Sequence, residues 1–474
     1  MAAKATGRTR HEPLLRGSYP NTGADSTFQV LDIGHERYMA VLAPETAFWA
    51  LVRKEKLAEA LSGRKLLDRY LRKLPAFTQE VEALRFGIKP SAVYFNPTDR
   101  CNLNCTYCYI PPTTRRRGRH MSASRLLDAL GRLAHFFKDT QPPGAPPPQM
   151  VFHGAEPLLN RDAVFAGIDA FAGVFRFGIQ TNATLLDENA RNFLLSRDVG
   201  IGISLDAPIA EIADRTRHSW AGKGAYATVV SAMERLRDYP RWSVITTITR
   251  ENMRHLPGMV EFLHAHHVPA AMLNVLRCTM PASRAIKPPD RAAASHFLAA
   301  IDRAHELYAR TGRKLVIANF ANTLTAILAP TARRLMCDIS PCGAGRCFFA
   351  VAANGDVFPC SEFVGLPVFR AGNIFEDDLA VILESEACKS VTSRRVEDIE
   401  ACKECAIRHF CGAPCPAEAH AMNGSVASMG GFCEFYQEQV RYALRVIADG
   451  TERDFLWDGW ERGTSSTFAL STLQ

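Results

Sequence analysis

Short apolar runs alternate with longer amphipathic stretches through the middle of the chain. Runs such as SAVYFNP, MVFHG and GIGISLD have the length of buried strands, whereas MSASRLLDALGRLAHFFKD places apolar residues at intervals of three and four, which predicts a helix. Strands that alternate with helices in this way form a parallel sheet through right-handed crossovers. About six strands fall between 91 and 334. The pattern therefore predicts an α/β fold with a partial (β/α)6 barrel of the TIM type, whose chemistry lies at the carboxyl ends of the strands.

The N-terminal part of the chain has a different pattern. Residues 1–27 are polar and punctuated by Gly and Pro, and we expect them to be disordered. Residues 28–90 predict a small α+β unit: two short strands lie within 28–42, and the stretches PETAFWALVRKEKLAEALSG and KLLDRYLRKLP have helical spacing. Two roles for this unit stay open. It is either a winged module whose strand edge captures a leader peptide, or a plain packing extension of the barrel.

The strand–helix alternation stops near residue 335. The stretch 337–433 holds ten of the fourteen cysteines, together with many glycines and prolines and only short helical patterns. We therefore predict that 335–440 is a cysteine-rich domain organised by metal, after the barrel at 91–334. Residues 441–474 are interpreted as a C-terminal tail, to which the sequence attaches no role.

Composition and charge limit which classes of partner and which cellular location we expect. The net charge of +7, from 56 Lys and Arg against 49 Asp and Glu, is small for 474 residues and does not favour nucleic acid. No apolar run reaches the ~20 residues of a membrane span, and the N-terminus lacks the apolar segment of a secretory signal. The expected location is the cytoplasm, where thiols stay reduced and clustered cysteines indicate metal binding.

Three cysteines lie within the single stretch DRCNLNCTYCY. Cys101, Cys105 and Cys108 have the spacing C-x3-C-x2-C and follow a predicted strand. Three thiolates on one loop suit a metal centre that keeps one coordination position open, although a zinc site or unrelated thiols are alternatives. This motif resembles the signature of the radical S-adenosylmethionine (SAM) enzymes. In that family the three thiolates bind three irons of a 4Fe–4S cluster, and SAM binds the fourth iron.

The resemblance also indicates which residues contact SAM. FHGAEPLL resembles the second family motif, Gly-Gly-Glu-Pro, with Ala155 in place of a glycine, and it implies that Glu156 accepts a hydrogen bond from the methionyl amino group. The further residues that the resemblance places around the cofactor are Tyr107, Asn182, Ser204 and Arg217. Each of the polar residues named here has an alternative role as a helix cap or a buried structural group.

Asp206 and the arginine run after the cysteine loop complete the predicted site. The resemblance implies that Asp206 faces the substrate and takes a proton, while its alternative role is to cap the turn that follows. The run from Arg115 to Arg119 is either a solvated loop or a surface that attracts an acidic peptide.

A second cysteine pattern begins with Cys342-x12-Gly355-x4-Cys360, continues with Cys402-x2-Cys405-x5-Cys411-x3-Cys415 and ends with Cys433 after seventeen intervening residues. This pattern resembles the SPASM extension, which carries two auxiliary 4Fe–4S clusters in peptide- and protein-modifying radical SAM enzymes. Two structural zinc sites are the alternative. For the first auxiliary cluster Cys337, or an open iron, is an alternative to Cys347, and Gly355 fits a turn that directs Cys360 to the metal. The resemblance implies ligands Cys342, Cys347, Cys360 and Cys415 for the first cluster, and Cys402, Cys405, Cys411 and Cys433 for the second.

These resemblances predict a maturase that removes a hydrogen atom from a ribosomally made peptide through a 5′-deoxyadenosyl radical and installs a modification, most simply a thioether. Oxidation of Cys or Ser to formylglycine in a sulfatase is the alternative activity. A non-catalytic iron–sulfur or zinc scaffold is the alternative of another class. The expected partners are a peptide or small protein and an external electron donor such as flavodoxin or ferredoxin, without nucleic acid or membrane.

Overall fold

The computed structural model describes residues 16–17 and 28–463. The predicted disorder of 1–27 therefore falls almost wholly outside the described residues, as does the end of the tail from 464 onward. Two sheets organise the described part of the chain, one of four strands and one of ten. In that part no helix is both long and apolar enough to cross a membrane.

Fourteen strands are described, numbered in chain order. They are β1 Arg16–Gly17, β2 Phe28–Leu31, β3 Tyr38–Ala43, β4 Phe48–Arg53, β5 Ala92–Phe95, β6 Gln149–Phe152, β7 Arg176–Thr181, β8 Gly200–Ser204, β9 Trp242–Ile248, β10 Ala270–Val275, β11 Val316–Ile317, β12 Phe348–Val351, β13 Asp356–Phe358 and β14 Gly372–Asn373.

Seventeen α-helices are described. They are α1 Leu57–Ser62, α2 Arg64–Glu82, α3 Pro112–Arg117, α4 Ala123–Thr140, α5 Arg161–Ala170, α6 Glu188–Ser196, α7 Ala210–Thr216, α8 Tyr226–Glu234, α9 Leu256–Ala265, α10 Pro281–Ala285, α11 Asp290–Thr311, α12 Ala318–Leu328, α13 Leu379–Leu383, α14 Glu386–Thr392, α15 Arg408–Cys411, α16 Pro416–Asn423 and α17 Cys433–Asp449.

The large sheet is the predicted partial barrel. Strands β5 to β11 are neighbours in sequence order and all pair in parallel, with helices between them. Among the described strands the sheet does not close, because its order runs from β11 at one edge to β14 at the other. The α/β class and the partial TIM-type barrel expected from the sequence are confirmed. Because the carboxyl ends of parallel strands share one edge, residues that follow these strands are brought together there.

The cysteine-rich region continues the barrel sheet rather than standing apart from it. Strand β12 pairs in parallel with β5, so that Phe349 lies opposite Val93, and β13 and β14 extend the sheet in antiparallel fashion. The boundary expected between residues 440 and 441 falls inside α17, which buries Phe435, Val440 and Leu444. An amphipathic helix that packs along its whole length does not end where the cysteines end.

One prediction for the N-terminal unit was wrong. The stretch FWALVR was expected to be helical, and it forms β4, the third strand of an antiparallel meander with β2 and β3. Phe48 contributes to the cluster that packs on α2, whereas the indole N–H of Trp49 donates to the carbonyl of Ile327, 2.8 Å away in the barrel region. Both faces of this strand are buried, so its sequence lacks the alternation of apolar and polar residues that indicates a strand, and the apolar spacing was interpreted as helical. Whether this unit binds a leader peptide stays a prediction.

Candidate active site

A cavity of about 290 Å³ lies at the carboxyl ends of the barrel strands, as expected for this fold. Cys101, Cys105 and Cys108 line it, on the loop that follows β5. Burial raises the pKa of Cys101 to about 12, and the nearby charge of Glu156 adds to that effect. Burial also raises the pKa of Cys108, to about 11. Thiols with such pKa values ionise only against a strong positive charge, which iron supplies when it is bound.

Arg115 holds the cysteine loop in shape. Its guanidinium is buried and donates to the carbonyls of Ile110 and Leu103, at 2.9 and 3.1 Å, and to the side-chain oxygen of Asn104 at 3.2 Å. The arginine run is therefore not uniform. Its first member is a structural clamp inside the loop, whereas Arg116 and those after it are exposed.

A short hairpin, residues 218–224, closes over the outside of the cysteine loop. The amide of Asn104 donates to the carbonyl of His218 at 2.7 Å, and Leu103 and Ser219 form an antiparallel bridge. At the tip of the hairpin the indole N–H of Trp220 donates to the carbonyl of Cys101 at 2.8 Å. The three cysteines thus occupy a loop whose backbone is fixed from both sides.

Glu156 does not face the cavity. Its carboxylate is fully buried and accepts three hydrogen bonds, from the Thr181 hydroxyl at 2.8 Å and the amides of Asn182 and Leu158 at 2.8 and 3.1 Å. Burial raises the pKa of Glu156, and these donors oppose the shift. Both oxygens already have protein donors, so the geometry favours a positioning role over the expected contact with the methionyl amino group.

Asn182 lies where the sequence motif places it, on the cavity wall beyond β7. Its amide nitrogen donates to the side-chain oxygen of Asn102 at 2.9 Å and lies 3.7 Å from the sulfur of Cys101. Its oxygen accepts from the amide of Thr184 at 3.0 Å. Glu156 and Asn182 therefore form one network that reaches the first cysteine.

The motif around Gly154 shows why its sequence is restricted. Gly154 has a φ of +98°, and a Cβ atom there would lie 2.4 Å from the side chain of Asn96. The position therefore requires glycine. Its neighbour Ala155 lines the cavity, so the substitution noted in the sequence places a methyl group on the cavity wall.

Asp206 is the second residue whose environment differs from the expectation. It is 1% exposed and does not line the cavity; its carboxylate accepts from the hydroxyl of Tyr107 at 2.6 Å and the amide of Thr247 at 2.9 Å. Arg217 lies 3.9 Å from the same carboxylate and also donates to the Tyr107 oxygen. Burial raises the pKa of Asp206, while the charge of Arg217 opposes the rise. The structure thus makes Asp206 the anchor of Tyr107 and Arg217, which themselves line the cavity.

Two charged residues on the cavity wall were missed by sequence reasoning: Arg277, which follows β10, and Glu362, two residues after Cys360. His153, which follows β6 beside the GAEP motif, also lines the cavity. Burial lowers the pKa of His153 to about 4. Burial raises the pKa of Glu362 to about 7, although Arg277 acts in the opposite direction. The position of Arg277 just past a barrel strand was an available signal; for Glu362 the only signal was its closeness to a cysteine.

The donor set of this cavity fits a 4Fe–4S cluster and SAM. Three thiols face one space, and the wall also carries Ser204, as the motif predicted. Within the described residues, Arg217 Nε and His153 Nδ1 are buried polar atoms without a hydrogen-bond partner. Such orphaned groups are rare in folded proteins unless a ligand satisfies them. We propose that Cys101, Cys105 and Cys108 hold the cluster and that Arg217 lies against the methionyl carboxylate.

The C-terminal cysteines form two groups. In one of them Cys411 has its pKa raised well above normal by burial, and the charges of Cys405 and Cys433 add to the rise. Burial likewise raises the pKa of Cys433 to about 12, with contributions from Cys405 and Cys402. The four cysteines expected at the second auxiliary cluster are therefore mutual neighbours.

The other group favours Cys337 over Cys347. The pKa of Cys360 is raised by burial and then by the charges of Cys415 and Cys342, so these three lie together. Cys337 is exposed as a whole residue, but its thiol lies on the wall of a cavity, where desolvation raises its pKa to about 12, and the charge of Cys342 adds to the rise. Tyr94 is within the field of both Cys337 and Cys360, whereas the only cysteine acting on Cys347 is Cys342. We propose Cys337, which the sequence left as an alternative, as the fourth ligand of the first auxiliary cluster.

Gly355 forms the tight turn that the sequence predicted. It precedes β13 with a φ of +92°, and a Cβ atom there would lie 2.4 Å from the ring of Phe375. The turn lets β13 run back along β12, so that Cys360 follows directly after the strand. A residue with a side chain would both strain this turn and displace Phe375.

A second cavity, of about 160 Å³, adjoins the first. Arg277, Asn274 and Val275 line both cavities, and Cys337 and Cys411 lie on the wall of the second. Arg277 also donates to the hydroxyl of Tyr436 at 3.3 Å. The end of β10 and Arg277 therefore lie between the cysteine loop and the C-terminal cysteines Cys337 and Cys411.

Comparison with known proteins agrees with this geometry. The model of the Radical SAM superfamily matches residues 95–263, and that of the SPASM iron–sulfur cluster-binding domain matches residues 342–406. An uncharacterized protein of Archaeoglobus fulgidus is 40% identical over 426 residues, which are 90% of this chain and 96% of the relative. A cysteine-type anaerobic sulfatase-maturating enzyme of Clostridium perfringens is 24% identical over 366 residues, which are 73% of this chain and 93% of the enzyme.

Solved structures share the fold. The structure of anSMEcpe with bound AdoMet matches with a TM-score of 0.64 at 21% identity, over 79% of this chain and 98% of that one. Streptococcus suis SuiB bound to S-adenosylmethionine matches with a TM-score of 0.57 at 14% identity, over 83% and 97% of the two chains. The chain therefore belongs to the radical SAM superfamily with a SPASM domain, and it is an enzyme whose cofactors are 4Fe–4S clusters and S-adenosylmethionine.

Proposed function

We propose that this enzyme is a maturase that modifies a ribosomally made peptide or small protein and closes a thioether between a cysteine sulfur and a carbon of the same substrate. When bound, the cluster and SAM supply a 5′-deoxyadenosyl radical. The relatives support the substrate class: solved structures with this fold include anSMEcpe with a Cys-containing peptide and SuiB with the precursor peptide SuiA.

The adjacency of the two cavities carries the thioether proposal. Cys101, Cys105 and Cys108 line the first cavity, and Cys337 and Cys411 line the second, with Arg277 on the wall of both. A peptide that reaches across this shared wall would present one residue to the cysteine loop and a neighbouring sulfur to the auxiliary groups. Holding two reacting groups in one enclosed space is the main advantage that a protein provides for such bond formation.

Charged side chains near the shared wall of the two cavities are suited to peptide binding. Arg277 is held by Tyr436 and lies within the field of Glu362 and Glu418, and the Glu362 Oε2 atom has no partner among the described residues. A carboxylate of this kind accepts a peptide N–H, and the guanidinium donates to a peptide carbonyl. We propose that Arg277 and Glu362 orient the substrate backbone, while Asp206 keeps Tyr107 and Arg217 in place.

The proposed bond change conserves atoms and electrons. The substrate carbon would lose one hydrogen atom, which would end in 5′-deoxyadenosine, and the thiol would lose one proton to solvent or a basic side chain as its sulfur joins the carbon. An auxiliary cluster, held by the C-terminal cysteines, would supply the acceptor for the one surplus electron. The product is lighter than the substrate by two hydrogens and has one free thiol fewer.

Formylglycine formation is the second candidate. Its support is the match to sulfatase-maturating enzymes, both cysteine-type and serine-type, over 73% and 69% of this chain. This activity also begins with removal of a hydrogen atom by the 5′-deoxyadenosyl radical. It differs in its product, which is an aldehyde rather than a cross-link.

The test is mass spectrometry of substrates incubated with the anaerobically reconstituted enzyme, SAM and dithionite. The probes are the peptides encoded by short cysteine-containing reading frames beside this gene, and an 18-residue sulfatase peptide with a Cys target. Loss of two hydrogens with loss of alkylation by iodoacetamide supports the thioether, whereas a hydrazide-reactive aldehyde overturns it in favour of formylglycine. Absence of SAM-dependent 5′-deoxyadenosine release overturns both activities and leaves the scaffold.

A matched pair of variants tests the peptide-binding role. Glu362→Gln keeps the shape but removes the charge, and Glu384→Gln makes the same change at the end of α13, outside both cavities. We expect Glu362→Gln to reduce the amount of modified peptide about tenfold while 5′-deoxyadenosine release continues. SAM cleavage does not require Glu362, whereas bond formation requires a peptide that is held in one orientation. Equal effects of the two variants would contradict the proposed contact.

A further inference from the structure

An exposed basic surface lies on the outside of the cysteine loop. Arg116, Arg117 and Arg119 follow the third cysteine, Arg100 precedes the first, and Lys223 lies on the hairpin that covers the loop. All five side chains are exposed, and none makes an ion pair within the described part of the chain. We name these five residues the loop-side basic face.

Two partly buried carboxylates lie beside this face. The Cβ of Asp99 lies beside Gly118, and the charges of Arg119 and His120 act on its carboxylate. Asp214 lies against Gly224, next to Lys223, and its carboxylate accepts from the amides of Ala225 and Tyr226. Five exposed cationic side chains against these two carboxylates leave a positive surface, which attracts an acidic partner over distances of about 10 Å at moderate salt.

This face is in direct contact with the backbone of the cysteine loop. The guanidinium of Arg116 lies 5.7 Å from the centre of the Trp220 ring. The indole N–H of Trp220 donates to the carbonyl of Cys101 at 2.8 Å. A path of two side chains therefore leads from the solvent to a residue proposed to hold the cluster.

The basic face does not open into the active-site cavity. Arg117 and Arg119 line a separate shallow depression, which shares no residue with the cavity. A peptide bound there would not reach the space in front of Cys101, Cys105 and Cys108. A partner that exchanges only an electron has no need to enter the cavity, because it has only to come close to the cluster.

We infer that the loop-side basic face docks an acidic protein that carries a flavin or an iron–sulfur centre and donates one electron. In each encounter the donor is oxidised by one electron, and the cluster held by the cysteine loop is reduced by one. Trp220 and Arg116 lie at the contact. This inference goes beyond the proposed function, since it holds whichever product the enzyme makes.

The test compares two double variants with the same charge change. Arg117→Glu/Arg119→Glu reverses two charges of the face, neither of which has a side-chain partner needed for the loop. Lys138→Glu/Arg310→Glu makes the matched change at two exposed positions near the carboxyl ends of α4 and α11, helices that run back toward the amino ends of the barrel strands. The probe is a recombinant bacterial flavodoxin, an acidic FMN protein.

Binding is measured by biolayer interferometry on the reconstituted enzyme at several salt concentrations. We expect the Arg117→Glu/Arg119→Glu variant to bind flavodoxin about tenfold more weakly than wild type, with a flatter salt dependence, because charges at a contact govern encounter. SAM cleavage driven by reduced flavodoxin falls in parallel. Cleavage driven by dithionite stays within about twofold of wild type, as is usual for surface substitutions.

Three results would overturn the inference. They are unchanged flavodoxin affinity, an equal loss in the control variant, and a higher KM for the peptide under dithionite, which would make the face a substrate surface. If the reversed variant reconstitutes with less iron, Arg117→Gln/Arg119→Gln replaces it, and an intermediate loss of flavodoxin affinity is then expected. Flavodoxin binding does not depend on the peptide product, so its failure is distinct from failure of the proposed function.

Discussion

The cysteine loop and the C-terminal cysteine region both bring several thiols together, but they do so in different ways. In the loop, three thiols lie within eight residues of one segment that follows β5. In the C-terminal region, one group combines Cys337, Cys342 and Cys360 with Cys415, which lies far along the chain and directly before α16. The first arrangement is local, and the second exists only after several segments have packed together.

Both regions are nevertheless held by a buried arginine that binds backbone carbonyls. Arg115 donates to the carbonyls of Ile110 and Leu103 inside the loop. Arg394 is 5% exposed and donates to the carbonyls of Ala413 and Ser428 at 2.8 and 2.9 Å. Thiolates of both C-terminal groups act on the Arg394 guanidinium. A buried cation beside thiolates compensates part of the negative charge that cluster ligation brings into the interior.

The loop takes its three thiols and its arginine clamp from one segment, whereas the C-terminal groups depend on each other. Arg115 donates hydrogen bonds only within that segment, although its guanidinium also lies 5.3 Å from the ring of Trp220 on the covering hairpin. Arg394 instead connects the segment before α16 with the turn that ends at Ser428. We expect damage to the loop to remain local and damage in the C-terminal region to spread.

The largest effect is expected from removing the loop cysteines. Cys101→Ala/Cys105→Ala/Cys108→Ala should abolish SAM cleavage and remove about four irons per chain while about eight remain, because the C-terminal ligands lie on other segments. Iron and sulfide analysis with 5′-deoxyadenosine release provides the measurement. Cys388→Ala, at a buried cysteine on α14 outside both groups, is the control and should keep all the iron. Loss of all the iron in the triple variant would show that the loop is not independent.

A smaller effect distinguishes the two possible ligands of the first auxiliary cluster. Cys337→Ala should lower the iron content or alter the EPR spectrum of that cluster, because its thiol lies with Cys342 and faces the second cavity. Cys347→Ala is the matched variant and should reconstitute like wild type. If Cys347→Ala loses iron and Cys337→Ala reconstitutes like wild type, Cys347 is the ligand, and the grouping of Cys337 with Cys342 and Cys360 is wrong.

The smallest effect is expected from the two arginine clamps. Arg115→Lys and Arg394→Lys keep the charge but lose the fork, which leaves buried carbonyls without donors at about 1–3 kcal/mol each. Arg115→Lys should weaken SAM binding and leave the auxiliary EPR signals unchanged, whereas Arg394→Lys should perturb both auxiliary signals. Thermal unfolding of the reconstituted proteins gives the stability change, and Arg310→Lys on the surface is the control. Auxiliary signals that change equally in both variants would remove the difference between the regions.

The fold was largely predictable because its signals are local. Apolar runs marked the barrel strands, and the helix predicted within MSASRLLDALGRLAHFFKD is α4, where Ser122 caps the first turn by accepting from the amide of Arg125. β4 was missed because a strand buried on both faces carries no alternation. The pairing of β12 with β5 was missed because nothing in the pattern of Phe348–Val351 names its partner.

The candidate site was predictable in its membership and less so in its roles. Motif positions brought Asn182, Ser204 and Arg217 to the cavity. Glu156 and Asp206 were expected to face ligands, and the structure turns both carboxylates toward protein donors. A motif shows which residue lies near a site, but the direction of its side chain depends on the groups that neighbouring strands supply.

By itself the sequence determined the cysteine loop, the order of the barrel strands and the membership of the chain in its superfamily. These features depend on spacing along one segment, which covalent geometry transmits directly. The tertiary structure alone decided that Cys337 joins Cys342, that Arg277 and Glu362 reach the cavity, and that Arg394 lies between two groups of thiols. Such groupings join segments far apart in the chain, and only packing of those segments brings their side chains within reach of one another.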